Sequence, residues 1–170
     1  MKLNCDLGES FGAWSMPVES AIMGEIDQAN IACGFHAGDP LVMKQAIRLA
    51  KQHDVDIGAH PAYPDLQGFG RRSMAIAADE LSAMIQYQVS ALSGMAKVCG
   101  ANVSYVKPHG ALYNDMMKDT AVMRTVMQSI AEINMQSLNS PIALMVQATS
   151  QNAAIKEAAQ EWELPLYFEA

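Results

Sequence analysis

No window of this chain holds the ~18 consecutive apolar residues that crossing a bilayer requires. The N-terminus, MKLNCDLGES, lacks an apolar run of signal-peptide length. A basic patch is missing as well. Lys and Arg number 11 against 18 Asp and Glu, a formal net charge of −7, which argues against nucleic acid as a partner. It leaves room for an anionic small molecule, because one local lysine or an arginine pair can hold one. Cysteine is scarce: Cys5, Cys33 and Cys99 are odd in number and have no metal-type spacing. Cys5 and Cys33 fall inside expected strands, where small thiols are commonly buried, and a reducing compartment follows. The chain is expected to be soluble and cytoplasmic, with no membrane and no nucleic acid among its partners.

Several catalytic signatures are also missing. There is no G-x-G-x-x-G after the first strand and no G-x-x-x-x-G-K-[ST] anywhere, so the usual glycine cradles for dinucleotides and nucleoside phosphates are lacking. No G-x-S-x-G offers a nucleophile elbow, and no H-E-x-x-H offers a helix-borne metal site. What remains is an ordinary globular composition, 51% hydrophobic and 17% charged over 170 residues, enough for one domain with a substantial core. The thirteen methionines, several on expected helix faces, serve as core filler.

The most informative stretch is NIACGFHAGDP at residues 30–40. It opens as a buried parallel strand, breaks at Gly34, and delivers His36 and Asp39 in a tight polar loop before Pro40 starts a helix. Other stretches repeat the pattern. A strand over 2–5 delivers Asp6 and Glu9; one over 55–59 delivers His60-Pro61; one over 103–106 delivers Lys107-Pro108-His109. Strands over 141–146 and 164–168 complete the series, with Glu169 at the end of the last. Helical periodicity covers 41–53, 78–99, 120–135 and 151–162, with a further short helix expected after Pro17. Six alternations of strand and helix predict a parallel sheet with crossover helices. Polar residues after five of the strands favour a (β/α) barrel, which gathers all strand ends over one axis.

Each polar residue carries a functional and a structural reading. Asn4 and Asp6 share one strand face, and Asp6 serves as general base, metal ligand or helix cap. Asp39, just before Pro40, suits a helix N-cap. His36 has no capping role. His60, restrained by Pro61 beside the flexible Gly58, is either a site residue or a satisfied core histidine. Lys107 needs a partner if buried, either Asp6, Glu169 or an anionic substrate group. Arg71 and Arg72 form a fork for a carboxylate or phosphate, or else a solvated loop.

Five strings in order carry a family resemblance: N-x-D-x-G-E at 4–9, NIACGFHAGD at 30–39, GAHPAYPD at 58–65, GFGRR at 68–72 and KPHGALYN at 107–114. Together they resemble the LamB/YcsF family over essentially the whole chain. The resemblance implies a seven-stranded, deacetylase-like (β/α) barrel of about 250 residues, the usual size for such a barrel. The last barrel unit is therefore expected to be missing from this single-domain chain of residues 1–170. It also implies hydrolysis of the lactam of 5-oxo-L-proline to L-glutamate, with ATP as co-substrate and with partner subunits B and C. Asp6, His36, His60, Lys107 and His109 are then the expected catalytic residues. Asn4, Glu9, Asp39, Arg71, Arg72 and Asn114 are the expected substrate contacts. A divalent metal, by analogy with deacetylase-like barrels, would take Asp6, His36 and His60. Two alternatives stand beside this: a metal-dependent deacetylase or amidohydrolase acting without ATP, and a non-catalytic 5-oxoproline-binding subunit.

Overall fold

The computed structural model describes residues 2–16, 19–136 and 140–170. Six strands, β1 (Asn4–Leu7), β2 (Gln28–Ala32), β3 (Asp56–His60), β4 (Val103–Val106), β5 (Ala143–Gln147) and β6 (Leu166–Glu169), lie in one all-parallel sheet in sequence order. A sheet ordered by sequence places its crossovers on one side and curls, here into a half-barrel. The crossovers carry α1 (Glu19–Ile22), α2 (Pro40–Gln52), α3 (Ala78–Val98), α4 (Gly110–Lys118), α5 (Thr120–Met135) and α6 (Asn152–Gln160). Among the described residues, no helix is long and apolar enough to cross a membrane.

Strand alternation sorts the side chains into two environments. Leu7, Ala29, Ile31, Ile57, Ala59, Val106, Leu144 and Val146 face the helices and join one large apolar core that includes Met23, Met116 and Met127. The alternate residues face the concave side, where Tyr105, Ala143 and Met145 form a small apolar cluster. The rest of that face is polar: Asn4, Asp6, Asn30, His60, Lys107 and Glu169. One face therefore joins the apolar core and the other gathers polar side chains.

Some boundaries differ from expectation. Strand β1 begins two residues later than 2–5 and takes in Asp6, so this carboxylate projects from the strand itself. Strand β2 starts at Gln28 and leaves Cys33 just beyond its end. Residues 110–118, which follow the KPH turn, form α4, where Leu112 and Met116, one helical turn apart, are both buried. A helix follows Pro17 as α1, although Pro17 itself lies outside the described residues.

Candidate active site

The loops after β1, β2 and β4, together with the last residue of β3, bring four side chains into one largely buried cluster. Ligand atoms of Glu9, His36, His60 and His109 all lie within 4.8 Å of one another. The rings of His36 and His109 stack, 3.8 Å between centroids and 5° between planes. His36 Nε2 meets Glu9 Oε1 at 3.1 Å, and His109 Nδ1 lies 3.7 Å from the same oxygen. Asp6 Oδ1 is 3.4 Å from His60 Nε2. Residues far apart in sequence thus converge because each follows a neighbouring strand of the same sheet.

Backbone carbonyls fix two of the imidazoles. His60 Nδ1 donates to the Lys107 carbonyl at 2.6 Å, and His109 Nε2 donates to the Phe69 carbonyl at 2.8 Å. A carbonyl only accepts, so both protons are committed outward. The remaining nitrogens, His60 Nε2 and His109 Nδ1, then face each other at 2.9 Å as two lone pairs. Two acceptors at that distance call for a proton or another cation between them. His36 Nδ1 is buried and has no hydrogen-bond partner among the described residues.

A second polar network lies against this cluster on the concave face. Asn30 donates its amide to both Asn4 Oδ1 and Asp6 Oδ1, each at 2.8 Å, and receives the Tyr105 hydroxyl on its own oxygen at 2.6 Å. Lys107 Nζ reaches Asn4 Oδ1 at 3.0 Å, Glu169 Oε2 at 3.1 Å and Asp6 Oδ1 at 3.7 Å. The Tyr113 hydroxyl donates to Glu169 at 2.7 Å. A Cβ at Gly58 would run into the Tyr105 ring, which explains a glycine in the middle of β3.

Burial governs the titration of the site. It opposes the charge on Asp6, but His60, Lys107 and the Asn30 amide outweigh it and hold that carboxyl well below the usual range. Burial pushes Glu9 up, with His60 and His109 acting against the shift. Burial, reinforced by nearby His60, lowers His36 to about 3. Burial and the stacked His36 lower His109 to about 4. The site thus combines an ionised, partly exposed Asp6 with a buried neutral His36 and a buried neutral His109.

Other expected site residues take different places. Asp39 caps α2, accepting from the backbone N–H groups of Leu41, Val42 and Gly12, and so plays the structural part that its position before Pro40 allows. The two arginines separate: Arg72 is engaged by buried Asp65, whereas Arg71 lies over the Phe69 ring and has no ion pair among the described residues. Asn114 is exposed on α4. Asn30, Asp65 and Tyr113 lie inside the strings singled out in the sequence but are not among its expected site residues, and Tyr105 lies outside all of them; only the folded chain reveals their part. The cavity beside Glu9 and His36, about 510 Å³, is walled by Phe11, Trp14, Leu66 and Phe69.

Known proteins resemble this chain over nearly all of its length. The family model described as "LamB/YcsF family" matches residues 1–170. The 5-oxoprolinase A-subunit 2 of Pseudomonas putida is 53% identical over 168 residues, covering 99% of this chain and 63% of the relative. The 5-oxoprolinase A-subunit of Vibrio parahaemolyticus is 51% identical over 170 residues, covering 100% of this chain and 65% of the relative. The crystal structure of a lactam utilization protein from Thermus thermophilus superposes with a TM-score of 0.87 at 38% identity, covering 99% of this chain and 65% of that one. The chain spans somewhat less than two thirds of the length of these relatives.

Proposed function

The chain belongs to the LamB/YcsF family, and from that premise we propose that it forms the catalytic part of the A-subunit of an ATP-dependent 5-oxoprolinase. The observation that carries the reading is the clustering of Asp6, His36, His60, Lys107 and His109 on a chain whose relatives bear the 5-oxoprolinase name. On this reading the full barrel has seven strands, of which this chain holds six. Subunits B and C complete the enzyme, and three free cysteines suit a cytoplasmic setting.

A five-membered lactam is a poor electrophile, and ATP supplies the drive. Transfer of a phosphoryl group to the lactam oxygen makes the ring carbon electrophilic. Water adds to that carbon, losing a proton to Asp6 or His60. The C–N bond then breaks as the nitrogen takes a proton, leaving an acyl phosphate. A second water releases phosphate and L-glutamate. Arg71, with no carboxylate partner among the described residues, binds the substrate carboxylate. Lys107, held by Asn4, Asp6 and Glu169, faces the developing negative charge.

The donor set also fits a divalent metal. One carboxylate and three imidazoles suit a zinc-like ion, and the facing lone pairs of His60 and His109 are the feature such an ion would satisfy. Glu9, His36, His60 and His109 would hold it, with Asp6 beside them in place of the Asp6, His36, His60 set expected from analogy. When bound, it would lower the pKa of a coordinated water toward neutrality. This cluster favours one second reading, metal-dependent amide hydrolysis without ATP.

The deciding experiment is ATP-dependent release of glutamate from 5-oxoproline by the full-length protein with its partner subunits. Asp6→Asn and His60→Gln are expected to abolish turnover while binding of 5-oxoproline persists. A folded, complete mixture that releases no glutamate overturns the assignment. Turnover of amides without ATP, dependent on added metal, moves it to the second reading.

A further inference from the structure

Residues 65–72, between β3 and α3, form a loop closed on itself. Asp65, only 3% exposed, accepts from Arg72 Nε at 3.0 and 3.1 Å, from Arg72 Nη2 and from the Gly68 N–H at 2.9 Å. Its carbonyl accepts the Gly70 N–H at 2.9 Å, and the Gly68 carbonyl accepts the Arg71 N–H at 3.0 Å. A Cβ on Gly68 would collide with both the Asp65 carboxylate and the Arg72 guanidinium. The loop has no room for a side chain at this position.

The loop also holds an unfavourable backbone conformation. Phe69 has φ +55° and Gly70 has φ +64°. Glycine adopts this region freely, but a bulky L-residue there costs about 1–2 kcal/mol and persists only when its surroundings over-determine it. That conformation aims the Phe69 carbonyl at His109 Nε2, and the next carbonyl, that of Gly70, accepts the Ala111 N–H at 2.9 Å at the start of α4. The Phe69 ring stands edge-on to both stacked histidines, at 5.5 and 5.2 Å.

We infer that the Asp65–Arg72 pair is a positioning device that holds the Phe69 carbonyl on His109 and so fixes that imidazole as the Nε2–H tautomer, with its Nδ1 lone pair facing the site. Arg72 is thereby assigned to loop closure, leaving Arg71 alone to face the substrate. A pair with a largely exposed arginine contributes little stability by itself, so closing the loop over the site is its larger effect. The inference rests on His109 being a working group of the site, but its readout needs no turnover.

The test uses full-length protein labelled with ¹⁵N-histidine and dialysed against chelator. Two-bond ¹H–¹⁵N spectra of the wild type are expected to show His109 as a single Nε2–H tautomer. Arg72→Met removes the fork, and Gly68→Ala wedges the pair apart without removing a charge. Both are expected to convert His109 to a mixture of tautomers and to lower kcat by about tenfold or more, the effect typical of an outer-shell partner, with KM changed far less. Arg72→Lys keeps the charge and offers no planar fork; it is the mildest of the three and should show the same change to a smaller degree. An unaltered His109 tautomer in every variant that folds overturns the inference. Altered tautomers without any 5-oxoproline turnover in the wild type would instead refute the lactam reading and leave the positioning role standing.

Discussion

His36 and His109 are stacked, buried and held neutral, with consequences for stability as well as chemistry. Their folded-state pKa values lie below the usual 6.5, so below that pH the unfolded chain binds protons the folded chain refuses. Stability therefore falls as pH drops from 6.5 toward 4. Each histidine should cost about 2 kcal/mol at pH 5 relative to pH 7 in metal-free protein, read from urea midpoints. His36→Gln should flatten about half of that slope. At this scale the sequence was informative where Gly and Pro punctuate strand ends: His36 after Gly34, His60 before Pro61, His109 after Pro108. It was silent on Tyr105, which lies outside those patterns, and on the hydrogen bond that joins it to Asn30 from β4 to β2 across 75 residues.

Among the elements, the helices contribute more than cover. Gln88 on α3 is fully buried, and its amide accepts from the Ala62 N–H at 2.9 Å and donates to the Ala62 carbonyl at 3.0 Å. The helix thus grips the chain two residues past His60, whose ring is the hub of the site. Gln88→Leu leaves both backbone groups of Ala62 buried and unpaired, and should destabilise the protein by about 2–4 kcal/mol in urea unfolding. Asp39→Ala should cost about 1 kcal/mol through its lost cap on α2, with kcat little changed, because its carboxylate is spent on backbone donors. Strand order and helix periodicity were legible because both are local, as in the apolar spacing of residues 41–53. The shift of β1 onto Asp6 was not, because register depends on pairing Asn4 with Gln28, a partner the local pattern does not name.

For the whole molecule, the concave face ties the first strand to the last. Asn4 donates to Glu169 at 3.2 Å, and Lys107 and Tyr113 bind the same carboxylate. Glu169→Ala would leave Lys107, itself largely buried, with Asp6 as its remaining carboxylate within reach. A loss of about 2–4 kcal/mol is expected from breaking such a pair, read from urea midpoints, with partial recovery in Glu169→Gln. A barrel-like α/β fold was foreseeable from polar residues emerging after strand upon strand. The pairing of Lys107 with Asp6 and Glu169 was legible too, because a buried lysine needs a carboxylate, whereas the contact of Asn4 with Glu169, 165 residues away, was not.

Because each described strand pairs with its neighbours in the sequence, this part of the sheet can be laid down from the ribosome one unit at a time. The imidazole cluster is fully present once the turn after β4 has emerged. A further counter-ion for Lys107 arrives with β6, at Glu169; before that strand forms, Lys107 has Asn4 and Asp6 within reach.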